Sequence, residues 1–428
     1  MESLLEFLSF SDPSIISVTV GAMLLTASSA VVGTFTFLKK KALVGDAVAH
    51  SVLPGICLAF IVSGNKNPLV LITGAFITGW ISLVVIDTIT AKTKIKEDTA
   101  IALILSVFFG IGILLLTNIQ HSGNAAQTGL DSFLFGKAAA LVGRDLLIFS
   151  IVAVILLVTI ALFYKELKII AFDSQYASVL GLPVKFLNLL LTSLTVLAVV
   201  TGIQAVGVVL MAAMLITPAA AARFWTNKVL NMTLLAAGMG ALSGLAGAYV
   251  SYTAPTMPTG PWIVIIISII ALLSFFFAPE RGIISRTLQQ QSLKRQIMDE
   301  NLLKEIYHIG EKTSNLVPGR TIKELQRERY FPRKHLLASL RRLQRRGYVH
   351  KTGNRWNFTD AGLNKGKRLV RLHRLWELYL SKYLKIAPDH VHEDAETIEH
   401  VITPELEREL EKMLKFPAED PHRKEIPY

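Results

Sequence analysis

The stretch FLKKKALVGDAVAHSVLPGICLAF, residues 37–60, puts charged side chains at the start of an apolar run. A run of about 20 apolar residues is long enough for a helix to cross about 30 Å of hydrocarbon. Asp46 and His50 lie inside this run, where an ionisable side chain is costly and usually faces a polar pathway. The alternative is that both lie at the membrane interface beside the three lysines, or cap a helix. The stretch therefore predicts a membrane protein with a polar site.

The composition divides the 428 residues into two parts. Mean hydropathy is +0.47 and 52% of the residues are hydrophobic, which excludes an ordinary soluble enzyme. Residues 1–280 carry 14 basic and 12 acidic side chains, whereas residues 281–428 carry 30 and 20. The single cysteine, Cys57, excludes a disulfide framework or a Cys-rich zinc site within one chain. The N-terminal MESLLEFLSFSDPS has no basic segment or cleavage site, so we expect no cleaved signal peptide.

Nine apolar runs are candidate membrane spans. They lie near residues 15–38, 42–63, 69–90, 99–117, 145–164, 187–203, 206–222, 229–252 and 261–279. The sixth and seventh are the weakest pair, because TGIQAV could form a kink or a re-entrant turn and reduce the count to eight. The expected fold is an all-α polytopic membrane protein of about nine spans, followed by a cytoplasmic domain.

Basic loops predict the orientation, since lysine and arginine concentrate in cytoplasmic loops. The basic segments are KKK (39–41), AKTKIKED (91–98), YKELKIIAFDSQYASVLGLPVK (164–185) and RFWTNK (223–228). With nine spans all four fall on one face, which places the N-terminus outside and the C-terminus in the cytoplasm. The later stretch GMGALSGLAG predicts close helix packing through small residues.

Asp46 and His50 are four residues apart, so a helix places both on one face. A carboxylate with an imidazole suits manganese, iron or zinc. Four segments, FLKKKALVGDAVAHSVLPGICLAF, DSFLFGKAAAL (131–141), GVVLMAAMLITPAAAARFW (207–225) and TGPWIV (259–264), resemble the membrane permeases of ABC-type manganese, zinc and iron importers. The resemblance implies that Asp46 and His50 belong to the cation pathway.

The resemblance also implies partners. Such a permease is a homodimer in a bacterial cell membrane, with the pore between subunits, and an extracytoplasmic metal-binding protein delivers the ion. A separate ATP-binding subunit supplies energy; the chain has no GxxxxGK[ST] loop and is not expected to be an enzyme. The segment FDSQYASVLGLPV (172–184) matches the docking place of that subunit. The implied contacts are Asp173, Ser174, Gln175, Tyr176, Ala177 and Gly181. Without a thiolate, the pathway favours manganese as substrate, then zinc or iron.

After a transmembrane domain of residues 1–284, the composition predicts three further parts. Residues 285–299 form a polar linker or helix. The stretches ENLLKEIYHIGEK, TIKELQRERY, FPRKHLLASLRRLQRRGYV and KTGNRWNFTDAG then predict three helices and a hairpin with Gly353 and Asn354 at its tip. This order is typical of a winged helix-turn-helix domain over residues 300–360. Residues 361–428 complete the soluble part with a long helix and further acidic helices.

A second set of metal-ligand residue types lies in this last part. His373 and Glu377 are four residues apart on one helix. The others form one stripe of a second helix: His392, Glu396, Glu399 and His400. Nitrogen and oxygen donors on two helix faces indicate a metal site, whereas the alternative is a solvated acidic face.

The chain from about residue 300 resembles the iron- and manganese-dependent repressors related to the diphtheria toxin repressor. RLVRLHRLWELYL, VHEDAETIEHVITPELERELEKML and PHRKEIP carry the resemblance. It implies that residues 361–428 are a helical metal-binding and dimerisation domain, that all six residues above are ligands and that Glu396 favours manganese. The family's first helix also supplies ligands, but its matching positions here are Asn301 and Lys304. Because a protonated lysine is no ligand, Asp299 and Glu300 are the alternative donors.

Residues 320–374 carry 17 basic and three acidic side chains, which suit DNA phosphates, anionic lipid or the ATP-binding subunit. The candidate contacts are Arg333, Lys334, Arg341 and Arg342. A membrane tether makes regulated DNA binding awkward, so we expect a metal sensor that slows its own permease. The alternative is a membrane-tethered, metal-dependent DNA-binding regulator. An intramembrane metalloenzyme is disfavoured, because the spans contain no HExxH motif.

Overall fold

The computed structural model describes residues 7, 9, 12–64, 67–121, 143–254, 257–313, 319–328, 332–385 and 402–428. The chain forms two compact units, the membrane unit (Met1–Arg286) and the C-terminal unit (Thr287–Tyr428). The helices of the membrane unit are α1 (Pro13–Leu38), α2 (Val44–Ser51), α3 (Leu53–Ser63), α4 (Pro68–Lys92), α5 (Glu97–His121), α6 (Gly143–Leu162), α7 (Tyr164–Phe172), α8 (Ser174–Val179), α9 (Val184–Val206), α10 (Val208–Trp225), α11 (Val229–Thr253) and α12 (Thr259–Phe277).

Among the described residues, eight helical segments are long and apolar enough to cross a membrane. Helices α2 and α3 together form one of them, Val44–Ser63. The predicted run 206–222 is present as α10, a shorter apolar helix than these eight. Gly207 separates it from α9 with φ of 92°, a conformation that favours glycine. The all-α polytopic architecture is confirmed, and the chain bends at the weakest predicted pair.

Helix α1 lies at the centre of the membrane unit, where it packs against α6, α9, α10 and α11. Its contact with α11 depends on small residues. A Cβ added to Gly240 would lie 2.7 Å from the carbonyl oxygen of Thr26, and one added to Gly244 would lie 2.9 Å from that of Ala22. The close packing predicted from GMGALSGLAG is therefore confirmed.

The basic ends of several helices meet at one end of the membrane unit. Lys41 Nζ lies 2.7 Å from Asp87 Oδ1 and 3.6 Å from Glu97 Oε1. Lys39, at the end of α1, donates a hydrogen bond to Asn188 Oδ1 in the first turns of α9. The segment KKK thus lies beside the end of α4 and the starts of α5 and α9, which brings three of the four basic segments to one end of the membrane unit.

The elements of the C-terminal unit are α13 (Ile283–Lys312, which begins in the membrane unit), α14 (Ile322–Glu328), α15 (Arg333–Arg345), β1 (Val349–Thr352), β2 (Arg355–Phe358), α16 (Asp360–Tyr383) and α17 (Pro404–Leu414). The strands are antiparallel, with Val349 opposite Phe358. Gly353 has φ of 63° at the hairpin tip, as its place in the turn requires. The predicted order of three helices and a hairpin is present, and the stretch 285–299 is helical within α13.

Buried ion pairs join the helices of the C-terminal unit. The Asp299 side chain, 2% exposed, accepts hydrogen bonds from Ser339 Oγ at 2.5 Å and Arg342 at 2.7 Å, which joins α13 to α15. Glu311 and Arg374 join α13 to α16 through two nitrogen–oxygen contacts of 2.7 and 2.8 Å. Burying charges is costly unless they are paired and hydrogen-bonded, as these are.

The pKa of Glu311 depends on its burial and on the partners that surround it. Burial raises this pKa, but hydrogen bonds from His308 and Arg374 and the charge of Arg374 outweigh it and lower the pKa to about 2. On α17, burial likewise raises the pKa of Glu407, and hydrogen bonds from two arginines of α16 bring it below its ordinary value. Both carboxylates are therefore held in the ionised form at neutral pH.

Candidate metal pathway and metal centre

The first predicted pair lies on the short helix α2. Asp46 is in its first turn and His50 in its last turn, which are the ends at which an acid and a protonated base interact favourably with the helix dipole. His50 Nε2 lies 3.5 Å from Asp46 Oδ1. The structure thus brings together the carboxylate and the imidazole that the spacing of the sequence predicted on one face.

The surroundings of the pair leave it partly accessible. The Asp46 side chain is 41% exposed and the His50 side chain 22%. The His50 ring packs edge-on against Phe109 of α5, with 5.1 Å between ring centroids. Its Nδ1 atom is buried and has no hydrogen-bond partner among the residues that the structure describes. Phe109 holds the imidazole from one side, and sequence reasoning missed it because it is 59 positions away in the chain.

A break in the helix follows the pair. Helix α2 ends at Ser51 and α3 begins at Leu53, with Pro54 in its first turn. Proline has no amide hydrogen, so residue 54 cannot donate the helical hydrogen bond to the carbonyl oxygen of His50. The predicted span 42–63 is present as Val44–Ser63 but contains this break, for which the proline is the signal in the sequence. The pair therefore lies on α2, the first of the two helices that form this interrupted span.

The segment implied to dock an ATP-binding subunit forms a surface helix. Asp173 Oδ1 accepts hydrogen bonds from the backbone N–H groups of Gln175 and Tyr176, both at 2.9 Å, and so caps α8. Ala177 is buried, which fixes the inner face of the helix. The exposed residues of the predicted docking set are Asp173, Ser174, Gln175, Tyr176 and Gly181. Val179 adds an apolar side chain that is 84% exposed, so the described residues leave most of it uncovered.

The second predicted pair lies on α16 in the C-terminal unit. His373 Nε2 is 3.2 Å from Glu377 Oε1, and the two side chains are only 3% and 4% exposed. His373 directly precedes Arg374, which binds Glu311 of α13. The structure thus places one imidazole and one carboxylate together in the interior, next to the ion pair that joins the two helices.

The remaining predicted ligands, His392, Glu396, Glu399 and His400, lie outside the described residues, as does DSFLFGKAAAL. No group of three or more His, Cys, Asp or Glu residues placed to hold a metal occurs within the described ranges. The two donors His373 and Glu377 fit a metal site chemically, as a nitrogen and an oxygen on one helix face.

The alternative donors on α13 are engaged in other contacts. Asp299 is bound by Ser339 and Arg342, which makes it a structural ion-pair residue here. Glu300 Oε1 lies 3.4 Å from Lys365 Nζ. The Asn301 and Lys304 side chains are buried on the same helix. The Asn301 Oδ1 atom, which has no hydrogen-bond partner among the described residues, is the remaining oxygen donor at these positions.

The predicted polyanion contacts divide into two kinds. Arg333, Lys334 and Arg341 are exposed on α15. Arg342 is instead bound to Asp299 by hydrogen bonds from both Nε and a terminal nitrogen, so its guanidinium stabilises the helix packing. Arg342 is therefore not part of the most exposed basic surface of α15.

Comparison with known protein families matches both parts of the chain. A family described as the ABC 3 transport family matches residues 11–278. A second, the iron dependent repressor metal binding and dimerisation domain, matches residues 359–428. The first match ends at residue 278, near the end of the membrane unit, and the second lies within the C-terminal unit.

Similar proteins include transport proteins of bacteria. The manganese transport system membrane protein MntC of Bacillus subtilis is 38% identical over 420 residues, which cover 98% of this chain and 95% of that protein. The zinc transport system membrane protein TroC of Treponema pallidum is 42% identical over 275 residues, covering 64% of this chain and 92% of that protein. A solved structure, PsaBC from Streptococcus pneumoniae in complex with Fab, superposes with a TM-score of 0.59 at 32% identity. It covers 67% of this chain and 99% of that one.

These matches agree with the apolar, span-length helices of the membrane unit and with the separate C-terminal unit. The protein therefore belongs to the ABC 3 transport family, as a metal permease of the ABC type that carries a repressor-like C-terminal domain.

Proposed function

We propose that the protein is the permease subunit of an ATP-driven importer of a divalent transition metal, and that Asp46 and His50 bind the ion in transit. The observation that carries the proposal is this pair, an oxygen and a nitrogen 3.5 Å apart within a membrane-spanning segment. Two ligand atoms each about 2.1 Å from one ion, and about 100° apart, lie about 3.2 Å from each other. Small side-chain adjustments would allow both to bind one cation.

Manganese is the substrate that the donors favour. A carboxylate oxygen and an imidazole nitrogen suit manganese, iron and zinc, and a thiolate would shift the preference to softer metals. The Cys57 thiol is buried with its Sγ 3.8 Å from the carbonyl oxygen of Gly112, so we assign it to packing. One relative is named for manganese and another for zinc. In a homodimer, two copies of the pair would supply two carboxylates and two imidazoles.

The partners follow from the same proposal. The exposed helix α8, capped by Asp173, would dock the ATP-binding subunit through Tyr176 and Val179, which are 56% and 84% exposed. The basic helix ends beside Lys41 would face the cytoplasm, in keeping with the charge rule for membrane proteins. An extracytoplasmic metal-binding protein would deliver the ion to the opposite face.

Uptake of radioactive manganese by cells that lack their own importers tests the pathway. The chain is expressed with its ATP-binding subunit, and Asp46→Asn is compared with Asp98→Asn, an exposed aspartate in the first turn of α5. We expect Asp46→Asn to lower the initial rate by about 100-fold, because a direct ligand costs more than the about 10- to 100-fold of its supporting groups. Equal rates in the two variants would contradict the assignment, and zinc outcompeting manganese would reverse the substrate preference.

For the C-terminal unit we propose a cytoplasmic metal sensor that slows transport when internal metal is high. His373 and Glu377 supply two donors, and His392, Glu396, Glu399 and His400 are the proposed remainder. The support is the buried 3.2 Å pair and its place beside Arg374, which holds α13 through Glu311. Helix α13 is also the element through which the chain leaves the membrane unit. Metal binding at the pair would therefore act on the helix that follows the last span.

Cells preloaded with manganese distinguish the sensor from a passive domain. We expect a chain ending at Arg286, and the variant His373→Ala, to lose the inhibition of uptake by internal manganese. The matched control His335→Ala changes an exposed histidine of α15 and should keep it. Inhibition that persists in His373→Ala would contradict the sensor. Metal-dependent binding of one DNA sequence by the full chain, retained at high salt, would favour the membrane-tethered regulator instead.

A further inference from the structure

A basic cavity lies at the end of the membrane unit where the lysine-rich helix ends meet. Its volume is about 720 Å³, and α1, α4, α5 and α9 contribute to its walls. Four lysines line it, Lys39, Lys41, Lys92 and Lys185, against two carboxylates, Asp87 and Glu97. Neither Asp46 nor His50 lines this cavity, and no residue of the C-terminal unit does.

The charges in the cavity are unevenly paired. Lys41 takes both carboxylates, at 2.7 Å from Asp87 and 3.6 Å from Glu97. Lys39 donates to the neutral amide oxygen of Asn188. None of Lys39, Lys92 and Lys185 forms an ion pair with a carboxylate within the described part of the chain. The cavity therefore keeps an excess of positive charge that an anion would neutralise.

The remaining walls combine five threonines with apolar side chains. Leu83 and Ile86 of α4 and Leu189 and Leu191 of α9 line the same space as the amines. The volume is far larger than an inorganic phosphate needs. Since the cavity lies at the end of span-length helices, we expect its leucine and isoleucine side chains at the depth of acyl chains and its amines at the depth of headgroups.

We propose that this cavity binds an anionic phospholipid, with the phosphodiester at the lysines and Asn188 and part of an acyl chain against α4 and α9. Basic pockets between transmembrane helices on the cytoplasmic side are suited to anionic headgroups. A zwitterionic lipid of the same length lacks the net charge that the unpaired lysines require. The bound lipid holds the ends of α1, α4 and α9 together around Lys41.

Native mass spectrometry of the full chain in detergent, titrated with phosphatidylglycerol or phosphatidylcholine, tests the site. The variant Lys92→Gln/Lys185→Gln removes two exposed amines, and Lys94→Gln/Lys168→Gln removes two exposed lysines that do not line the cavity. We expect the first variant to weaken phosphatidylglycerol binding about tenfold or more, since each basic residue near an anionic lipid contributes about 1 kcal/mol. The control and phosphatidylcholine should show no such change.

A second variant tests the apolar part with the charges kept. Thr192→Trp fills the wall on α9 and should also reduce bound phosphatidylglycerol. Unchanged lipid binding in both variants would overturn the proposal. Displacement of the lipid by millimolar inorganic phosphate would assign the cavity to a free anion, and a loss of dimer in place of lipid would assign it to a second copy of the chain. The readout is lipid bound, so it is independent of whether the protein imports a metal.

Discussion

Within the described residues, two acid–histidine pairs share a four-residue spacing and lie in different environments. In the membrane unit, Asp46 and His50 lie 3.5 Å apart with side chains 41% and 22% exposed. In the C-terminal unit, His373 and Glu377 lie 3.2 Å apart and are 3% and 4% exposed. An ion in transit must enter and leave its site quickly, whereas a sensing site gains from a pre-ordered interior. The difference in burial thus matches the difference in the proposed roles.

The largest expected effect distinguishes the two pairs by activity. His50→Ala should lower manganese uptake about 100-fold or more, since it removes a direct ligand. His373→Ala should leave the uptake rate at low internal manganese unchanged. His121→Ala, at the exposed end of α5, is the matched control for loss of a membrane-unit histidine. A similar loss of uptake in His50→Ala and His373→Ala would remove the distinction between a pathway and a sensor.

The next effect compares buried and half-exposed ion pairs. Arg342→Ala leaves Asp299, whose side chain is 2% exposed, without its main partner and should destabilise the C-terminal unit by about 3 kcal/mol. Asp87→Asn breaks a pair whose side chains are 28% and 48% exposed and should cost less than about 1 kcal/mol. Hydrogen exchange of each unit in the full chain measures both values. Equal costs would show that burial does not set the strength of these pairs.

Acid should weaken the C-terminal unit through Glu311. The pKa of Glu311 is about 2 in the folded protein against an ordinary value of 4.5. Its contribution to the free energy of unfolding is therefore complete above pH 4.5 and is lost as the pH falls towards 2. With one third of the side chain exposed, we expect a contribution of about 2 kcal/mol. Hydrogen exchange of α16 between pH 5 and pH 2.5 should show the loss in the parent chain. The C-terminal unit of Glu311→Gln should be less stable at neutral pH, and its stability should depend less on pH between pH 5 and pH 2.5.

The smallest effect is expected at the surface of α17. Lys412 Nζ lies 3.0 Å from Glu409 Oε1, but the two side chains are 66% and 70% exposed. Glu409→Gln should change the free energy of unfolding by less than about 0.5 kcal/mol. Thermal unfolding of the full chain provides the check. A cost near that of Arg342→Ala would mean that α17 makes contacts with another subunit.

Local patterns in the sequence determined how much could be predicted. Hydrocarbon thickness sets a length for apolar runs, so the spans were found, and a spacing of four residues placed both acid–histidine pairs on helix faces. The packing of Phe109 on His50 and the pairing of Glu311 with Arg374 depend on how distant helices meet, which no local pattern encodes. The stretch 285–299 is helical although its apolar residues form no clear face, because its composition is rich in good helix formers.

Pro54 has a consequence for the dehydration of the cargo. A divalent ion that leaves water must replace each lost water oxygen, and hard cations accept main-chain carbonyl oxygens as replacements. Since residue 54 has no N–H to donate, the carbonyl oxygen of His50 lacks its helical hydrogen bond, on the same residue that carries the proposed imidazole ligand. This oxygen is uncharged, so it can exchange with water without changing the net charge around the ion. If Asp46 and His50 bind the ion in transit as proposed, this proline would supply a step between the hydrated and the fully coordinated cation.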